Sequence, residues 1–210
     1  MLDDLLSRSA VLESRLLPVL EHPPLYPSDR ITAVRGMVGI TFEHSQSLKI
    51  LAAARNCTSS IGMLRLQYEA LTRGFWLLYV APDSTIEKLM NGFSREQAGE
   101  SEKMAMLAKM LEALEGRAPE PVLISLQGFQ ANHWKPLNSF VHGGIHALHR
   151  HRKGYPVDLV LNIIRASNAL SLMAANLANL VTSEPFPPGA LLELQFEFAT
   201  CLPPLGQSAI

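Results

Sequence analysis

The chain has 210 residues, a formal net charge of −1, and 48% hydrophobic against 18% charged residues. That composition suits one sizeable core, is too apolar for a disordered chain, and is too near neutrality for a globally basic nucleic-acid binder. Cys57 and Cys201 stand far apart with no Cys-x-x-Cys pair, so zinc-finger, thioredoxin and disulfide-scaffold readings lack their residues.

The opening stretch MLDDLLSRSAVLESRLL is acidic and then mixed in charge, without the basic-then-apolar order of a signal peptide. Its leucines, Leu2, Leu5, Leu6, Leu12 and Leu16 with Val19, fall near one face of a helix over residues 2–20. The prolines of His22-Pro-Pro-Leu-Tyr-Pro27 break the chain. Ser28 and Asp29 then open a long second helix to about residue 54. A third helix is expected over about residues 60–80. A short helix follows Pro82-Asp83-Ser84, and another runs over about 94–115 with Gly116 as its terminal glycine. Residues 84–116 read either as part of the core or as a protruding helical hairpin.

Pro119 and Pro121 precede a short helical piece over about 122–131. A histidine-rich helix is expected over about 135–152, with Pro136 in its first turn. A last long helix spans about 157–182. The uncharged run from Ala166 to Ser183 within it is interrupted by Asn168, Ser171, Asn176 and Asn179, which are costly in lipid. It reads as a half-buried helix of a cytoplasmic protein with no membrane partner. No alternating run of strand length occurs, so the fold class is all-α: one domain over residues 1–210, a bundle of about six to eight helices.

Two polar stripes carry the chemistry. In the third helix, Arg65, Glu69, Thr72, Trp76 and Tyr79 form a narrow line between two apolar flanks, one of them holding Tyr68. Arg65 and Glu69 are four residues apart and can pair along the helix, either to fix packing or to leave a guanidinium donor for an anion. On a continuous histidine helix, Asn138, His142, His146, His149 and Lys153 share a face, with Gly143, Gly144 and Ala147 as a smooth patch beside it. Trp76 or Trp134 is expected across that patch; alternatively the helix starts at Gly143, and Phe140 to His142 belong to a loop.

His142 and His146 have the i, i+4 spacing of a metal pair, with His149 next along. Gly143 stands where the metalloprotease pattern needs glutamate, so no metal is assigned. Neither a nucleophile elbow nor a phosphate-binding glycine loop is present, and no cofactor is expected.

The segment Leu137-Asn138-Ser139-Phe140-Val141-His142 resembles the signature of HEPN proteins, an all-helical fold widespread in bacterial toxin and phage-defence systems. That signature has an arginine, a polar residue, three more residues and a histidine. Asn138 and His142 match, and Leu137 stands in the arginine's place. A longer likeness over about residues 45–150 pairs Arg65-Leu-Gln-Tyr68-Glu69 and Phe75-Trp76-Leu77-Leu78 with the Asn-Ser-x-x-His-Gly stretch, and resembles bacterial helical families of unknown function grouped near HEPN.

The resemblance implies a helical homodimer that binds RNA or a protein partner in a defence or toxin–antitoxin setting, without the catalytic arginine. It also leaves open a metal-independent endoribonuclease in which His142 acts on the reacting oxygen, Asn138 orients it, and Arg65, Lys135 or Arg150 supplies the missing charge. On either reading the site comprises His142, Asn138, Arg65 and Glu69, with Trp76, Tyr68, His146, His149 and Lys135 as ligand contacts. A third reading makes both stripes satisfied core networks of a structural or small-ligand-binding protein. The C-terminal residues Leu191, Leu192, Leu194, Phe196 and Phe198 are candidates either for a dimer face or for closing the core.

Overall fold

The structure is a computed structural model that describes residues 1–90 and 106–204. Among the described residues there are nine α-helices and no strands. They are α1 (Leu2–Leu16), α2 (Asp29–Ala53), α3 (Cys57–Tyr79), α4 (Asp83–Met90), α5 (Leu107–Leu114), α6 (Glu120–Val141), α7 (Ile145–Lys153), α8 (Val157–Asn179) and α9 (Ala190–Glu197). The first helix tightens into a 3-10 turn at Leu17–Leu20, where Pro18 withdraws a backbone donor.

Helices α2, α3 and α8 form the centre. The close approach of α3 to its neighbours is made at Gly74, where an added Cβ would lie 2.7 Å from Leu177 and 3.4 Å from Met37. Helix α1 packs on α8, while α5 and α6 cover other sides of α3. The buried face of α6 is Val122, Leu126, His133, Leu137 and Phe140, a stripe at helical spacing.

Two arginines staple the chain's connections. Arg35 donates to the carbonyls of Leu20 (2.6 Å) and His22 (2.7 Å), and so holds the proline-rich link against α2. Arg30 donates to Ala81 O and Asp83 Oδ1, both at 2.7 Å, and also to Leu77 O. It thereby ties the start of α2 to the end of α3 and the start of α4.

A polar network runs through the centre. Lys49 Nζ sits 3.1 Å from Glu13 Oε2 and 2.8 Å from Ser45 Oγ. Ser45 Oγ lies 3.1 Å from Ser167 Oγ and 3.0 Å from Ser171 Oγ, and Ser167 donates to Gln67 Oε1 at 2.7 Å. Next to it, Asn168 donates to Ser9 Oγ (2.7 Å) and to Cys201 O (3.0 Å). Desolvation lowers the pKa of the Lys49 ammonium, and the Glu13 carboxylate opposes that shift. Helix α8 is the one described helix long and apolar enough to cross a membrane by length and composition. In this fold most of that stretch is buried, and its Ser167, Asn168 and Ser171 are the polar pins of the network.

Several boundaries differ from the sequence reading, each for a physical reason. The short helical piece expected at 122–131 and the histidine helix expected at 135–152 are instead one 22-residue helix, α6, followed by a break and then α7. Pro136 therefore lies inside a helix rather than in a first turn. Its missing N–H would orphan the carbonyl of Asn132, an exposed residue within reach of water, which makes the proline tolerable. The stretch read as core or hairpin falls partly on residues 91–105, outside the described residues. The described parts either side of it are packed: Ile86, Met110, Leu111 and Leu114 are buried. Gly116, at φ +68°, ends α5 in the left-handed conformation that glycine adopts without strain. At the C-terminus Leu194 and Phe198 close the core, whereas Leu192 and Phe196 face outward.

Candidate functional site

The α6–α7 junction is built by four residues. Helix α6 ends with an ordinary helical bond from His142 N–H to Asn138 O (3.1 Å) and then the 6→1 bond of a Schellman-type turn, Gly144 N–H to Ser139 O (2.7 Å). The motif needs a left-handed residue between them, and Gly143 supplies it at φ +63°. Ser139 Oγ then accepts the N–H of His146 at 3.0 Å, capping the first turn of α7 from the preceding helix. A Cβ on Gly144 would lie 2.6 Å from that same Oγ and 3.3 Å from Ser139 Cα, so only glycine fits. The glycine pair therefore marks a corner between two helices, not a smooth patch on one.

This corner aims His142 at α3. Arg65 Nη1 lies 3.2 Å from His142 Nε2, and Arg65 Nη2 lies 2.8 Å from Glu69 Oε1. The Arg65 guanidinium also stacks over the Trp134 ring, 4.5 Å from its centre. Three partners thus hold one cation between α3 and the last turns of α6. Its Nε is buried without a partner. Arginine has only donors, so His142 Nε2 must present its lone pair, and the imidazole in this contact is neutral with its proton on Nδ1.

Beneath this arrangement lies an aromatic cluster. Tyr68 stacks on Phe129 at 4.4 Å, meets Trp134 edge-on at 6.4 Å, and donates its hydroxyl to Leu126 O at 2.7 Å. Burial raises the phenol's pKa. Phe129 in turn meets His133 edge-on at 4.6 Å. His133 Nδ1 is buried with no partner, and desolvation holds that imidazole down at about 4.

The expected site residues separate accordingly. Arg65, Glu69 and His142 come together. Asn138 is exposed one turn before His142 and contributes its carbonyl to the helix end. Lys135 is exposed on α6. Tyr68 and Trp76 are both buried in the core. Trp134, not Trp76, meets the stripe. His146 and His149 sit exposed beyond the corner on α7, because the break rotates them off the His142 face. Leu137, at the position of the HEPN arginine, is 0% exposed and belongs to the core. Ser139 and the Phe129–His133 pair were not singled out from sequence. The Ser-x-x-His-Gly-Gly order, a capping residue before a glycine-ended helix, was the available signal for the first.

Charge is segregated here. From Pro121 to Val157 the chain has no aspartate or glutamate, yet it carries Lys135, Arg150, Arg152 and Lys153 along with five histidines. A chain that is nearly neutral overall is therefore locally cationic along the end of α6 and throughout α7.

A family described as one of unknown function (DUF6988) matches residues 38–204, which include the whole corner, α3, α8 and all of α2 beyond its first nine residues. The chain belongs to the DUF6988 family. No curated protein and no solved structure matches it. The matched segment of this DUF6988 chain holds Arg65, Glu69, Trp134 and His142, whereas α1, with Ser9 and Glu13, lies outside it.

Proposed function

We propose that this protein is a HEPN-like helical protein that binds RNA at the cationic α6–α7 corner without cleaving it, acting as a cytoplasmic dimer in a defence or toxin–antitoxin setting. The observation that carries the reading is the acid-free stretch around that corner, with Lys135, Arg150, Arg152 and Lys153 set against an otherwise acidic chain. Cations so grouped neutralise phosphates and release counterions, which is the general source of nucleic-acid affinity.

Support for binding without cleavage comes from His142. A general base needs a free lone pair within reach of the substrate hydroxyl. The Nε2 lone pair of His142 is engaged by Arg65. Leu137, in the place of the signature arginine, is turned into the core.

A second reading rests on the same contact. If Arg65 replaces the missing arginine, then Arg65 and His142 make a metal-independent endoribonuclease, with Arg65 releasing Nε2 to the substrate and stabilising the phosphorane charge. The test is binding and cleavage of labelled RNA by wild type, by His142→Ala and by Arg150→Gln/Arg152→Gln/Lys153→Gln, with chelator present. The first reading expects salt-sensitive binding that the triple variant loses, with no cleavage. Cleavage by wild type that His142→Ala abolishes establishes the second. Absence of both binding and cleavage overturns both.

A further inference from the structure

Helix α7 is amphipathic the wrong way round for a core helix. Of its nine residues only Ala147 is buried, while Ile145 is 78% and Leu148 60% exposed. Val141, one turn earlier at the end of α6, is half exposed as well. On a helical wheel Ile145, Leu148, His149 and Arg152 point outward together, opposite Ala147, with Lys153 at the edge. Two branched aliphatic side chains thus stand in water at the middle of a cationic face.

Phosphate contacts alone give these aliphatics no role. A second copy of the same face would set Arg152 and Lys153 against their own counterparts and bring like charges together. An outward-facing helix that is apolar in the middle and cationic at its flanks matches an anionic lipid surface, where the aliphatics enter the headgroup layer and the cations meet lipid phosphates. We infer that α7 is a peripheral membrane contact for anionic phospholipid, with Ile145 and Leu148 as the inserting residues and Arg152 and Lys153 as their electrostatic partners. This goes beyond RNA binding and proposes a membrane partner where the sequence reading expected none. One short helix with two aliphatics gives a weak, reversible attachment.

The test is co-sedimentation of the full chain with vesicles of phosphatidylcholine alone and of phosphatidylcholine with phosphatidylglycerol, alongside RNA binding by the same preparations. Wild type is expected to sediment with the anionic vesicles only. Ile145→Ser/Leu148→Ser should weaken that partitioning by about tenfold or more while RNA binding stays unchanged. Both side chains are exposed, so the variant keeps its fold, which circular dichroism verifies. The inference is overturned if anionic vesicles do not bind, or if the double variant binds them as well as wild type, leaving charge-only adsorption. It is equally overturned if the variant loses RNA binding in parallel, which makes the face an RNA surface, or if it converts a wild-type dimer to monomer, which makes it a self-interface. A failure of RNA binding alone defeats the proposed function and leaves the lipid inference standing.

Discussion

Arg65 donates to Nε2 of His142 across 3.2 Å, joining the middle of α3 to the corner that ends α6. Because the donor is a guanidinium, the imidazole must accept, and a doubly protonated ring cannot make this bond. Long-range proton–nitrogen NMR of the folded protein above neutral pH should therefore show His142 with its proton on Nδ1. A proton on Nε2 would mean that the two side chains do not meet in solution. His142→Ala should cost less than about 1 kcal/mol, since the ring is exposed and Arg65 keeps Glu69 and Trp134.

Lys49 and Glu13 make the opposite case, a pair shut inside the bundle. Removing either partner leaves a buried charge uncompensated, so Lys49→Ala or Glu13→Ala should each cost about 3–5 kcal/mol in urea unfolding. The double variant Glu13→Leu/Lys49→Met should recover most of that loss, because a well-packed apolar pair avoids the desolvation of two ions. If the double variant were as unstable as either single one, the pair would be contributing more than charge compensation.

His133 predicts an acid-sensitive term. Its folded value of about 4 lies below the ordinary imidazole value of about 6.5, so between those pH values the unfolded chain binds more protons. Stability from this group rises with pH through that window. It is fully available above about 6.5, and about 3 kcal/mol of it is lost by the time the pH has fallen below about 4. His133→Leu should be nearly neutral at pH 7.5, since Nδ1 has no partner to lose. The difference in unfolding free energy between wild type and variant should shift in the variant's favour as the pH drops from 6.5 to 4. A pH-independent difference would show that the ring is solvated.

Ser139 and Gly144 compete for one space. Ser139→Ala removes the cap of α7 and should cost about 1 kcal/mol. Gly144→Ala drives a Cβ into the serine hydroxyl and should cost about 1–3 kcal/mol. In the double variant the hydroxyl is gone, so the combined loss should fall short of the sum, with the remaining strain set by the nearby Ser139 Cα. Thermal melts of the four proteins complete the cycle.

How much of this was legible before the structure differs by element. The Arg65–Glu69 pair was readable because helical spacing alone places the two side chains together. The corner was legible only as an alternative, a helix starting at Gly143, since a wheel drawn through 135–152 assumes a continuous helix and two glycines inside a helical pattern fit both a packing patch and a helix end. Ser139, a capping residue five positions before Gly144, favours the helix end. Pro136 misled in the same way, because a proline marks a helix start, where its N–H would have no acceptor anyway, but also fits inside a helix where the carbonyl it leaves unpaired is within reach of water. The Lys49–Glu13 contact joins residues 36 apart, and no local pattern marks a lysine that will be buried. Of the residues read as interruptions of the apolar run in α8, Ser171 joins Ser167 in bonding to α2 and α3, and Asn168 bonds to Ser9 of α1.

Glu13 and Ser9 come from α1, which precedes the region shared with the DUF6988 family, yet their partners Lys49 and Asn168 lie inside that region. Excising residues 38–204 as a minimal unit would strip away the anion that Lys49 faces and bare the side of α8 on which α1 packs. Such a fragment would also cut α2 and lose Arg30 and Arg35, and its failure in any assay would say nothing about the corner at His142. Expression for biochemistry should begin at the first residue.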